Sequence, residues 1–201
     1  MSLARFQAVQ ARLVVDPGFR ERVAAAGGEL VDEVDLTPLE RRRLAAIARS
    51  EGLRITVLVH RGWRLGKLLT LLPRTCSMLG PDRAAAELDA FWRRQLPRSL
   101  YFHDEALAFA NHLAAVADDP SLPYLREVLA FERAEVELMR PGTESGARRS
   151  VVMPKELGAH LAGAGGGPPL EGAMDPTVFV GERLADGRTR WSLGGGEPAQ
   201  H

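Results

Sequence analysis

The chain reads as α+β, an N-terminal all-α region followed by a small C-terminal α/β unit closed by a β-hairpin. Three observations predict this. Apolar residues recur at helical spacing through the first 140 residues. Composition changes at Pro141, where Pro-Gly-Thr-Glu-Ser-Gly marks a turn or linker. Beyond it, strand-like runs flank Asp186-Gly187, a strong hairpin signal. The expected domains are 1–140 and 141–201, the latter with a disordered tail from Gly194.

Leu3, Phe6, Val9 and Leu13 predict a first helix that Pro17 ends or kinks. Phe19–Ala26 gives a short second helix, broken at Gly27-Gly28. Thr37-Pro38-Leu39-Glu40 is a capping-box start, with Pro38 where its missing N–H costs nothing. The helix that follows presents Leu44, Ile47 and Ala48, and Gly52 is expected to cap it. Ile55–Leu72 is ambiguous. Ile55, Val57 and Val59 alternate like a strand, but Leu58, Leu65, Leu68, Leu69 and Leu72 favour a helix ending before Pro73.

Pro81-Asp82 opens a helix over 84–95 carrying Leu88, Phe91 and Trp92. Asp104–Ala117 presents Leu107, Phe109 or Ala110, and Leu113. Pro120–Arg140 holds the last helix, with Leu122, Leu125, Leu129, Val136 and Met139 expected inside. Ser150–Met153 then reads as a strand, Pro154–Leu161 as a short helix, Gly163–Pro169 as a loop, and Thr177–Leu184 with Thr189–Leu193 as the hairpin.

Composition bounds function. The 201 residues are 45% apolar and 26% charged, enough for a sizeable core. Net charge is zero, which removes any global argument for nucleic acid. The single Cys76 excludes an internal disulfide and a multi-cysteine metal site. The N-terminus shows no signal peptide and no stretch is apolar enough to span a bilayer, so a cytoplasmic protein with no membrane partner is expected.

Charge is unevenly placed. Arg41 to Arg74 holds nine basic residues against one acid, Glu51, a local excess of eight. It reads either as a solvated face balanced by acids from Asp16–Asp35, or as a landing site for an acidic partner or peptide.

Chemistry-bearing patterns are sparse. The five histidines show no metal-ligand spacing, and His103-Asp104-Glu105 fits a helix start, with Asp104 as N-cap and Glu105 in the first turn. Gly163–Gly167 lacks the lysine and the strand-to-helix setting of a phosphate loop. Cys76, in an apolar stretch, reads as a buried inert thiol despite nearby Arg74. Glu132 and Glu135 share a helix face, yet with Arg126 and Arg133 nearby they read as a salt-bridged surface rather than carboxylate ligands. Trp63, framed by Arg61 and Arg64, reads as core or as an interface anchor.

The succession FQAVQARLVVDPGFR, HRGWRLGKLLTLLPRTCSMLG, AELDAFWRRQLPRSLYFHDEALAFANHL and PYLREVLAFERAEVEL resembles the accessory partner proteins of multinuclear non-haem iron-dependent oxidative enzymes. These include the MbnC-type partners of methanobactin biosynthesis and those of thiaglutamate-type pathways, with a related HvfC/BufC-type group named for a DNA-binding domain. The resemblance spans Leu3–Met139, with a weaker echo beyond. It implies a non-catalytic subunit, without a cofactor of its own, that binds a TIM-barrel iron enzyme and helps hold the leader of a ribosomally made precursor peptide. Iron would reside in the enzyme.

Under that reading, Arg61, Trp63, Arg64, Lys67 and Leu68 are the expected enzyme-docking set. Val151, Val152 and Met153, or Val178, Phe179 and Val180, are the expected open edge to which a leader adds as a strand. A DNA-binding regulator is the alternative, resting on the basic segment and the helical architecture. An enzyme using Cys76 or His103 is the third reading.

Overall fold

A computed structural model describes residues 3–26, 36–95, 102–157 and 176–194. Its elements are α1 (Leu3–Val15), α2 (Pro17–Ala25), α3 (Pro38–Ala48), α4 (Glu51–Leu71), α5 (Pro73–Arg94), α6 (Phe102–Leu113), α7 (Leu125–Met139), β1 (Arg148–Met153), β2 (Thr177–Arg183) and β3 (Thr189–Leu193). Helices precede a small antiparallel sheet, so the fold is α+β. The Gly163–Pro169 loop, most of the helix expected over 154–161 and the expected tail lie outside the described residues; 155–157 are helical.

The chain forms two compact units, Met1–Lys67 with Ala86–Leu100, and Leu68–Ala85 with Tyr101–His201. The units therefore do not part at Pro141, as composition had suggested. Pro141 marks only the approach to the sheet, because α7 carries an apolar face that β1 and β2 cover.

In the first unit, local capping decides where helices start. Asp16 Oδ1 accepts from Phe19 N at 2.8 Å, with Pro17 at the first helical position. The expected box at Thr37 is present: Glu40 Oε2 accepts from Thr37 N at 2.8 Å, and Thr37 Oγ1 accepts from Glu40 N at 3.3 Å. Ser50 Oγ accepts from Leu53 N at 3.1 Å and so starts α4. Gly52 is consequently inside α4 rather than a cap of α3, which ends at Ala48 with Arg49 as its C-cap. Val9, Leu13, Phe19, Val23, Leu36, Leu44 and Leu53 form this unit's core.

Ile55–Leu71 is helical, the 3.6-residue leucine period prevailing over a short β-branched alternation. In α5 the backbone departs from helix at Gly80 (φ 71°, ψ 165°), just before Pro81. The predicted restart at Pro81 is thus correct, and residues before Gly80 form a helical segment that periodicity had not shown.

In the second unit, α7 lies between α6 and the sheet. It is buried well beyond the expected stripe: Val128, Phe131, Glu132, Ala134 and Leu138 join Leu125, Leu129 and Val136, while Leu122 and Met139 are only half-buried. Phe131 and Ala134 pack on Val151, Met153 and Phe179. The strands run in the order β1-β2-β3, with Val151 opposite Phe179 and Phe179 opposite Leu193. The Asp186-Gly187 hairpin forms as predicted, Gly187 at φ 83° and Leu184 N donating to Arg188 O at 2.8 Å.

Gly181 is where the sheet demands a bare backbone. A Cβ there would lie 2.8 Å from Trp191 Cη2 and 2.9 Å from Leu138 Cδ1. Gly181→Ala should therefore cost about 1–3 kcal/mol in urea unfolding, because a ring and a buried leucine must both shift.

Candidate functional site

The structure divides the expected docking set between two sides of α4. Successive helical residues turn by about 100°, so Trp63 and Arg64 point in different directions. Arg64 is buried, its guanidinium 4.7 Å from the Trp92 ring centroid. Arg61 lies 5.2 Å from the same centroid and pairs with Asp89. Leu68 is 1% exposed. Arg64 and Leu68 are therefore internal rather than docking residues, whereas Arg61 keeps a side chain 42% exposed while it pairs with Asp89. The Arg-flanked tryptophan is Trp92, reached across two helices, whereas Trp63 is 55% exposed and Lys67 faces outward with it.

The two strand candidates separate as cleanly. β2 is central and hydrogen-bonded on both sides, so Val178, Phe179 and Val180 offer no edge, and Phe179 is core. β1 is an outer strand of the described sheet. Val151 and Met153 point at α7 and are buried, while Val152 is 56% exposed on the opposite face. That face continues through Val178 and Val180 to Ser150 and Ser192, and Glu182 there pairs with Arg148 at 3.6 Å and Arg190 at 3.2 Å.

The most consequential polar site escaped the sequence reading. Glu132 is 0% exposed, not part of a salt-bridged surface. Its Oε1 accepts from Arg74 N at 2.6 Å and its Oε2 from Thr75 N at 2.9 Å, so a side chain of α7 caps the start of α5. One turn on, Glu135 accepts from Arg74 Nη1 at 3.4 Å and Trp191 Nε1 at 3.3 Å. The Arg74 guanidinium sits 5.4 Å from the Phe131 centroid, and Phe131 packs on Trp191 at 4.5 Å. Arg126 and Arg133 do form surface pairs, but with Asp118 and Glu137. No local signal separates Glu132 from its neighbours; its burial follows from the sheet and α5 closing on α7.

Burial raises both Glu132 and Glu135 above the usual carboxylate range, although the amides of Thr75 and Arg74, for Glu132, and the Arg74 charge, for Glu135, pull the other way. Cys76 is buried beside this cluster; burial and then the Glu132 charge push its thiol up to about 11.

Several residues of the basic segment have partners within the chain, while Arg42, Arg43, Arg49, Arg54 and Lys67 are exposed. Arg41 and Arg49 donate to Leu36 O and Ala24 O, Arg54 pairs with Glu51, Arg61 with Asp89 and Arg74 with Glu132 and Glu135. Of the Asp16–Asp35 acids, Asp16 pairs with Arg12, and Glu29, Asp32, Glu33 and Asp35 lie outside the described residues. Asp104 lies in the first turn of α6, two residues past the helix start rather than at its cap, and pairs with Arg140 at 2.8 Å. Burial lowers the pKa of neighbouring His103. Among the described residues no cluster of three or more His, Cys, Asp or Glu could hold a metal ion, and no helix is long and apolar enough to cross a membrane.

No family model matches this chain, and no curated protein matches it.

Glu132→Ala strands two amides at the start of α5 and should cost about 3 kcal/mol in urea unfolding. The pH dependence has a definite sign. A carboxyl raised on folding contributes stability that is complete below its unfolded pKa, about 4.3, and lost as pH rises through the folded value. The advantage of wild type over Glu132→Gln should therefore shrink between pH 4 and pH 8. Cys76 should resist a thiol reagent at pH 7.5 and react only on unfolding, which a time course with and without urea reads directly.

Proposed function

We propose that this chain is a non-catalytic partner subunit. It binds a TIM-barrel multinuclear non-haem iron oxidative enzyme and helps present the leader of a ribosomally synthesised precursor peptide for modification. The sequence resemblance suggests the class. The observation that carries the reading is the sheet: β1 is an outer strand, rigidly backed by α7, with an exposed valine and an adjoining Val178/Val180 face. An extended leader would add alongside β1, its main chain giving affinity and alternate side chains meeting Val152 and the Arg148–Glu182–Arg190 row. Iron and its ligands would belong to the enzyme subunit. Of the expected docking set, Trp63, Lys67 and the half-exposed Arg61 would meet that enzyme.

A DNA-binding regulator finds less support. Arg54, Arg61 and Arg74 pair with acids of this chain, which reduces the charge available to phosphates.

The test is co-expression of the tagged chain with a multinuclear iron enzyme and a precursor peptide encoded beside it. A defined complex containing iron is expected, together with saturable leader binding by fluorescence polarisation. Val152→Glu should weaken leader binding about tenfold while leaving the melting temperature within a degree or two, since the residue is exposed. Recovery of the chain alone, with no leader binding, would remove this reading and make salt-dependent DNA binding the next measurement.

A further inference from the structure

β1 has a strand partner on one side only among the described residues. Arg183 N donates to Ala147 O at 2.9 Å, and residues bonded across an antiparallel ladder alternate along each strand. Arg149, Val151 and Met153 therefore bond to β2, and the N–H and C=O groups of Arg148, Ser150 and Val152 point to the outer edge. Of these groups, the Arg148 carbonyl accepts from Arg149 Nη1 at 2.9 Å. That bond lays the Arg149 guanidinium along the edge, while its Nε donates to Glu137 at 2.6 Å.

The start of this edge carries more cation than acid on both faces of the sheet. On the α7 side, Glu137 is shared between Arg149 and Arg133, at 2.6 and 3.2 Å. On the outer face, Glu182 is shared between Arg148 and Arg190, at 3.6 and 3.2 Å. Among the described residues no other carboxylate pairs with these arginines, so each shared carboxylate leaves one positive charge in excess. The four side chains are 46% to 68% exposed, which turns that excess to solvent. The far end of the edge is apolar, with Val152 exposed. β3 differs: Trp191 and Leu193 on its outer edge turn their side chains to the α7 core, and Arg188 is matched by Asp186.

We propose that the β1 edge takes an extended acidic peptide, added antiparallel, with an apolar residue opposite Val152 and acids opposite Arg149 and Arg148. Directly opposed residues of an antiparallel pair share a face, so the peptide reads apolar-x-x-acid-acid from its N-terminal end. Main-chain bonds to Ser150 and Val152 hold it in line, and charge-assisted bonds to the two guanidiniums select it. A second copy of β1 would bring its own cationic excess to the same edge, an unfavourable match. The inference rests on the peptide-capturing reading and names the chemistry of the peptide.

Fluorescence polarisation of the full chain with labelled synthetic peptides centred on Val-Thr-Ser-Asp-Glu, Val-Thr-Ser-Asn-Gln and Val-Thr-Ser-Lys-Lys tests it. The acidic peptide should bind about tenfold tighter than the neutral one and lose that advantage as salt rises, and the basic peptide should bind weakest. Arg149→Gln should weaken the acidic peptide about tenfold and leave the neutral one unchanged, a selectivity that misfolding would not produce. Ser150→Pro removes an edge N–H that β2 does not use and should weaken both. Equal binding of the three peptides, no binding, or an acid preference that survives Arg149→Gln overturns the proposal. If a genuine leader binds without acid preference, this inference falls and the partner-subunit reading stands. If the acidic peptide binds as described and no iron enzyme is recovered, the partner-subunit reading falls and the acidic-peptide edge stands.

Discussion

The second unit is organised around one buried carboxylate. Glu132 projects from α7 to the start of α5, where the amides of Arg74 and Thr75 have no intrahelical acceptor. The arrangement is costly, because a carboxylate with no exposed surface loses its hydration. Two charge-assisted hydrogen bonds and the nearby Arg74 guanidinium offset part of that cost, burial still raising the carboxyl's pKa. Once Glu132 is placed, Glu135 one turn on reaches Trp191, and the tilted Phe131–Trp191 contact joins α7 to β3. A single helix thereby fixes the start of α5 and one side of the sheet.

The sheet depends on that same helix. A three-stranded sheet has little core of its own, and here Phe131 and Ala134 supply it beneath Val151, Met153 and Phe179. This is why the compact unit includes α6 and α7 rather than beginning at Pro141. It also defines what the sheet presents. The inner face is committed to α7, which leaves the outer strands β1 and β3 and the face bearing Val152, Val178 and Val180 turned away from it. Under the proposed peptide-capturing role, a sheet backed by a helix would lower the entropy lost on binding.

In α4, a single helix performs two tasks on different sides. The inward side supplies Leu53, Leu68 and the guanidiniums stacked on Trp92; the outward side is apolar and interrupted by glycine. Arginine suits the inward task because its flat, weakly hydrated guanidinium can stack on an indole while retaining hydrogen-bond donors. Arg61 and Arg64 thus serve the packing around Trp92, while Arg42, Arg43, Arg49, Arg54 and Lys67 stay exposed.

The sequence by itself determined the α+β class, the capping box at Thr37, the helical nature of Ile55–Leu71, the break at Pro81 and the Asp186-Gly187 hairpin. Each rests on periodicity or on backbone constraints within a few residues, and those act before any tertiary contact forms. Only the tertiary structure decided that Glu132 is a buried cap, that Trp92 rather than Trp63 lies under Arg61 and Arg64, and that β2 is central. Glu132 and the Arg74 amide are 58 residues apart, and Arg61 and Asp89 are 28 apart. At such separations a glutamate that caps and one that is solvated carry the same local pattern; the fold distinguishes them by which of them it removes from water.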